Sequence, residues 1–83
     1  MSSIIEFIFA NVKMYGEAME KIHGIRFIKD DIGFDMTKNN FLIRFEHDGK
    51  DLVHRMHIDL FRSQQSIASH IERVKEMVEA NAN

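Results

Sequence analysis

The chain of 83 residues is 45% hydrophobic and 29% charged, and its formal net charge of -2 comes from acidic and basic residues interspersed along the whole length. This composition is typical of one small globular domain, and it excludes a basic nucleic-acid arm, an acidic tail, disulfides and any site that needs cysteine. No segment approaches the roughly 20 apolar residues that span a bilayer, and Glu6 interrupts the apolar opening, so we expect a cytoplasmic protein without a signal peptide.

The first predicted element is a helix over residues 3–23, between a serine N-cap (Ser2 or Ser3) and a stop at Gly24. One face repeats apolar residues at spacings of three and four: Ile4, Ile8, Val12, Tyr15, Met19 and Ile22. Further apolar residues make the first two turns apolar nearly all round: Ile5, Phe7 and Phe9. We expect the sheet to cover one side of this helix end and a second molecule to cover the other. Gly16 either permits a close crossing or is tolerated at a cost of about 1 kcal/mol.

Next come three alternating runs, which predict antiparallel strands over residues 32–37, 40–47 and 50–59. Two-residue turns centred on Lys38-Asn39 and Asp48-Gly49 would connect them. Counting outward from these turns places three rows on one apolar face: Ile32–Phe45–Leu52, Phe34–Ile43–His54 and Met36–Phe41–Met56. The segment 25–29 is either a separate strand or the start of a long first strand that a bulge near Asp30-Asp31 interrupts.

A second helix is predicted over residues 63–80, capped by Ser63 or Ser66, with an apolar stripe of Ile67, Ile71, Val74 and Val78. The order of elements is therefore helix, three or four antiparallel strands, helix, with both helices on the apolar face of a meander sheet. This is a single two-layer α+β domain spanning residues 1–83. A chain of this size without disulfides has a thin core, so we expect a homodimer.

The histidines raise the question of a metal or proton-transfer site. His54 lies in the central row of the apolar face, where it needs a hydrogen-bond partner such as Tyr15 or a serine of the second helix. We interpret it first as a satisfied core histidine and second as a pH-sensitive residue. His57 points to the opposite face and His47 lies at a turn, so no three donors converge and we expect no metal. His57 and Asp59 share the outer face, which favours an ion pair over a metal edge.

No motif for a nucleophilic serine and no glycine-rich phosphate loop occurs, so we expect neither catalysis nor a cofactor. The excess apolar surface of the first helix and the six methionines favour a protein-interaction module. Its predicted contact residues are Ile5, Phe7, Phe9 and Met14. Small size without enzyme motifs is also typical of the regulatory or inhibitor proteins that phages and mobile elements encode.

The order helix, three antiparallel strands, helix resembles the topology of the double-stranded-RNA-binding domain, and this resemblance implies nucleic-acid binding as an alternative function. The contacts would be Arg26, Arg44 and Arg55 on the outer sheet face. The stretch SQQSIASHIER stands where such domains begin their second helix with lysines. Acidic residues share the face, so cross-strand ion pairs are the first interpretation of these arginines.

Overall fold

The computed structural model describes residues 3–82, which form an α+β domain of two helices and a four-stranded antiparallel sheet. In chain order the elements are α1 (Ile4–His23), β1 (Arg26–Phe27), β2 (Gly33–Asp35), β3 (Asn40–His47), β4 (Lys50–His57), a 3₁₀ turn (Ile58–Phe61) and α2 (Gln64–Asn81). The predicted fold class is confirmed. The last strand ends two residues earlier than predicted, because the 3₁₀ turn begins directly after His57.

Both helices begin at serine caps. The hydroxyl oxygen of Ser3 accepts a hydrogen bond from the amide of Glu6 at 3.1 Å, and that of Ser63 accepts from the amide of Ser66 at 3.3 Å. Each bond satisfies one of the amides that a helix start leaves without an intrahelical partner. Gly24 ends α1 in the left-handed conformation (φ 65°), as the sequence predicts. Ser2, the other predicted cap of α1, lies outside the described residues.

The hairpin of β3 and β4 has the predicted register. Asp48 and Gly49 have φ angles of 51° and 76°, the two consecutive positive values of a type I′ turn. The rows on the helix side follow from this turn and are confirmed: Phe41 opposite Met56, Ile43 opposite His54 and Phe45 opposite Leu52.

The predicted register between the first strand and β3 is wrong by two residues. Phe34 lies opposite Phe41 instead of Ile43, because residues 36–39 form a four-residue connection instead of a two-residue turn at Lys38-Asn39. A shift of two keeps every side chain on its predicted face. It moves Met36 out of the sheet, however, and this side chain is 82% exposed instead of buried against Phe41.

β1 and β2 lie on the same edge of β3. β4 pairs with β3 over its full length, so the partners of β1 and β2 must lie along the opposite edge. Phe27 therefore occupies the position opposite Phe45 that the sequence assigned to Ile32. Residues 28–32 interrupt this edge, which corresponds to the predicted break near Asp30-Asp31.

The helices pack on one face of the sheet, and the core lies between the two layers. Its buried centre combines the middle of α1, β3, the 3₁₀ turn and the start of α2: Val12, Tyr15, Met19, Ile43, Phe45, Phe61 and Ile67. Phe61 was not anticipated from the sequence. Its carbonyl accepts a hydrogen bond from the buried side-chain amide of Asn11 at 2.7 Å, and this bond fixes the 3₁₀ turn to α1.

Gly16 lets a strand side chain reach the backbone of α1. A Cβ atom at this position would lie 2.5 Å from the ring of Phe27, which is itself buried and packs against Phe45 with ring centroids 5.7 Å apart. The close approach is thus between helix and strand, and it requires the absence of a side chain at Gly16.

We expect the substitution Gly16→Ala to destabilise the protein by on the order of 1 kcal/mol. The overpacking cost of about 1–3 kcal/mol exceeds the gain of about 1 kcal/mol that alanine brings to a helix. Urea denaturation measures the difference in the free energy of unfolding. In a Phe27→Leu background, where the shorter side chain leaves room, the same substitution should be neutral or stabilising. An equal loss in both backgrounds would contradict the packing argument.

Candidate functional site

The start of α1 exposes apolar side chains on two flanks. Ile4 is 75% exposed and Ile5 62%, and Phe7 and Phe9 are also exposed. Residues three or four apart share a flank of a helix, so Ile5 and Phe9 lie on one side, and Ile4 and Phe7 lie on the other. The predicted contact residues Ile5, Phe7 and Phe9 are thus exposed but do not form one surface.

The flank of Ile5 continues onto the sheet. The rings of Phe9 and Phe34 each meet the buried ring of Phe41 edge-on, with centroids 5.7 and 4.9 Å away. Phe34 is itself exposed, and Met36 follows it in the adjoining connection. Ile5, Phe9, Phe34 and Met36 together are called the apolar surface below. Sequence reasoning missed Phe34 and Met36 because it placed both in the core.

The other flank faces the 3₁₀ turn. Ile4 and Ile8 line a pocket of about 330 Å³ together with Arg62. Met14, the remaining predicted contact residue, is half-buried and packs against the core. It therefore adds little to any surface.

His54 has one of the two hydrogen-bond partners that the sequence predicted, Tyr15. The hydroxyl of Tyr15 lies 2.8 Å from Nδ1 of His54, and the His54 ring also packs against Phe45 with centroids 4.6 Å apart. Tyr15 also lies beside His70 of α2, with ring centroids 5.9 Å apart. Tyr15 thus contacts one histidine of the sheet and one of α2. The role of His70 was not anticipated, because its place on α2 marks it only as a boundary residue.

Burial disfavours the charged forms of Tyr15, His54 and His70. It raises the pKa of Tyr15 to about 12, so the phenol keeps its proton at neutral pH. The pKa of His54 is lowered by desolvation and then by the nearby charge of His23, and the pKa of His70 is lowered by desolvation and then by Arg73. With His54 neutral, the phenol can donate to an unprotonated Nδ1. Protonation of His54 at Nδ1 would replace that acceptor with a second donor.

We expect the free energy of unfolding to fall in mild acid. Histidines with a lowered folded-state pKa bind protons more readily when unfolded, so stability is complete above about pH 6.5. It is lost as the pH falls from there through the lowered pKa values of His54 and His70. Urea denaturation at a series of pH values measures this loss.

The variant His54→Gln should lose less stability in acid, because glutamine offers Tyr15 an acceptor and does not titrate. His47→Gln, which changes an exposed histidine at the turn, is the matched control and should behave as wild type. Equal acid sensitivity in His54→Gln and wild type would refute the role of His54.

The exposed histidines make local contacts. Nδ1 of His57 accepts a hydrogen bond from the amide of Asp59 at 3.1 Å and lies 3.4 Å from the Asp59 carboxylate. A nitrogen that accepts carries no proton, so in that state the carboxylate contact is not an ion pair. Nε2 of His47 lies 3.2 Å from the carboxylate of Asp48. Within residues 3–82 no group of three or more His, Asp or Glu side chains is arranged to hold a metal ion.

Two of the three candidate nucleic-acid contacts are paired with carboxylates. Nη2 of Arg26 lies 2.9 Å from Glu46, its cross-strand neighbour. Nε of Arg44 lies 3.3 Å from the carboxylate of Asp31, an ion-pair distance, but its N–H does not point at that oxygen and makes no hydrogen bond. Arg55 is exposed on β4. Arg26 thus makes the cross-strand ion pair that the sequence predicted, whereas Arg44 lies beside a residue of the segment between β1 and β2.

A groove of about 390 Å³ runs between the two helices at the end of the domain away from Ile5. Its floor is apolar and its rim carries both signs of charge, with Ala18, Ile22, Ile71, Lys75 and Val78 among the lining residues. Neither helix in the described part of the chain is long and apolar enough to cross a membrane.

Comparison with protein-family models, with curated proteins and with solved structures found no match to this chain.

Proposed function

We propose that this chain is a non-catalytic accessory protein that binds another protein through the apolar surface and works as a homodimer. The observation that supports binding is the continuity of Ile5, Phe9 and Phe34 across two elements. Single exposed apolar residues are ordinary on a protein surface, whereas a contiguous group that spans a helix and a strand is typical of an interaction site.

The chemistry of the apolar surface suits a protein partner. Aromatic residues and methionine are enriched at the centres of protein interfaces, and polar residues form their rims. Here Lys13 follows Phe9 by one turn on the same flank, and Asp35 follows Phe34 on β2; both side chains are polar and at least partly exposed. Methionine adapts its shape to a partner, and Met36 occupies the most exposed position of the surface.

We expect Ile5→Ser to abolish capture of the protein partner while leaving the fold intact. An exposed side chain at a helix start contributes little to folding, so the free energy of unfolding should change by about 0.5 kcal/mol or less. The measurement is a pull-down with tagged protein from host lysate, with nuclease added and with the captured proteins identified by mass spectrometry.

Two matched variants make this test specific. Met77→Ser changes a 64% exposed residue on α2, near the opposite end of the helix pair, and should retain the partner. Ile4→Ser changes the neighbouring isoleucine on the other flank and should also retain it. Loss of the partner in all three variants, or in none, would argue against the apolar surface as the site.

Nucleic-acid binding is the alternative function. The observation in its favour is the order of elements, with both helices on one face of the sheet. The ion pairs of Arg26 and Arg44 count against it, because they occupy the positive charge that phosphates would need. Recovery of a partner only without nuclease, with binding that weakens steeply as salt rises, would favour this alternative.

A further inference from the structure

The outer edge of β4 has no partner strand in residues 3–82. β4 pairs with β3 over eight residues on one side, and no described strand lies on its other side. Lys50 and His47 close the two-residue turn as a hydrogen-bonded pair, so the even-numbered residues of β4 direct their backbone groups to β3. The backbone groups of Asp51, Val53 and Arg55 therefore point outward, and they make no hydrogen bond within the described residues.

The two edges of the sheet differ in how they resist pairing. The edge opposite β4 consists of a two-residue and a three-residue strand, separated by residues 28–32. Short and interrupted edges are a common protection against unwanted strand addition. β4 is long and uninterrupted. Of its four outward-directed positions, Asp51, Val53 and Arg55 have carboxylate, valine and guanidinium side chains, and His57 is the last residue of the strand. These side chains restrict which strand can pair there.

We propose that two copies of this chain pair antiparallel through their β4 edges, about a twofold axis at Val53, and form one continuous sheet. In this register Asp51 lies opposite the partner's Arg55, Arg55 lies opposite the partner's Asp51, and the two Val53 side chains meet. All three positions direct backbone groups outward, so each pair exchanges two hydrogen bonds. The inference rests on the homodimer of the proposed function, and gives it an interface.

Other registers fit less well. A shift by one residue would pair outward-directed with inward-directed backbone groups and turn the helices of the two copies to opposite faces. A twofold axis at Leu52 places Val53 opposite the partner's Asp51, and an axis at His54 places it opposite the partner's Arg55. In either case the charged residue faces valine instead of a side chain of opposite charge. The axis at Val53 alone creates two opposite-charge pairs and one apolar pair. On the helix side it brings Leu52, which is exposed in one copy, next to the partner's His54.

The competing explanation is that the charges of β4 keep the protein monomeric, because charged side chains also protect open edges. Reversal of single charges separates the two explanations. The dissociation constant of the dimer is measured by sedimentation equilibrium over a concentration series. We expect Asp51→Arg and Arg55→Asp each to raise it at least about tenfold, because each creates two like-charge pairs across the interface. The double variant restores opposite charges and should return it to within about threefold of wild type.

The charge reversal at Asp51 does not threaten the fold. Asp51 lies opposite Glu46 within its own hairpin, and arginine at this position would face a carboxylate instead of a like charge. We therefore expect urea denaturation of Asp51→Arg, at concentrations where every variant is monomeric, to show equal or higher stability. General destabilisation of the fold cannot raise the dissociation constant of the dimer while leaving the free energy of unfolding of the monomer unchanged.

A backbone variant tests the hydrogen bonds. Val53→Pro removes an N–H that points away from β3, so it costs the monomer no ladder bond, but it removes both bonds at the centre of the interface. It should be monomeric at concentrations where Val53→Thr, which keeps the N–H and the branched side chain, is dimeric. Circular dichroism shows whether the proline variant is folded; if it is not, the charge series still decides.

The remaining outcomes are distinct. A wild-type protein that is monomeric at every concentration overturns both the β4 pairing and the homodimer of the proposed function. A dimer that is insensitive to the charge reversals overturns the β4 pairing alone. Either result leaves the partner test with Ile5→Ser unaffected, because that test concerns a different surface.

Discussion

The turn at Asp48 and Gly49 is the constraint on which the rest of the domain depends. Two consecutive positive φ angles match the right-handed twist of the flanking strands and fix the register of β3 against β4. A slip of one residue would turn Phe41, Ile43 and Phe45 from the helix layer to solvent. The other elements are built on this hairpin, because β1 and β2 pair along the free edge of β3 and α1 packs over its apolar face.

The sequence predicts the strand register correctly only where the turn geometry restricts which residues can form it. Asp-Gly suits a geometry that few residues tolerate, so counting from it yields the correct register. Lys-Asn carries no such restriction, and there the chain forms a four-residue connection with Asn39 alone at positive φ (55°). The resulting error of two residues leaves the faces intact, but Phe34 and Met36, both predicted in the core, are exposed. The pairing of Phe27 with Phe45 was beyond prediction, because it depends on the space that Gly16 leaves in three dimensions.

The candidate sites were likewise predicted from the sequence only in part. The contact of Tyr15 with His54 was predicted because helix period and strand alternation direct both side chains into one layer. The apolar start of α1 was visible in the sequence, but its separation into two flanks was not, because this depends on where Phe34 and Arg62 come to lie. The spacing of apolar residues identifies the start of α1 as apolar. Only the packed structure shows which flank of this helix continues onto the sheet.

Pairing through β4 would also place the apolar surfaces. Phe34 belongs to β2, on the edge of β3 opposite β4. The strand order across the continuous sheet would then be β2, β3, β4, followed by β4, β3 and β2 of the partner. One apolar surface would lie at each outer edge. Six strands have five gaps of about 4.8 Å, so the two β2 strands would lie about 24 Å apart. Two such surfaces on one rigid body bind a repeated or dimeric partner far more tightly than either surface alone. Self-association at one edge and recognition at the other would thus be parts of a single bivalent module.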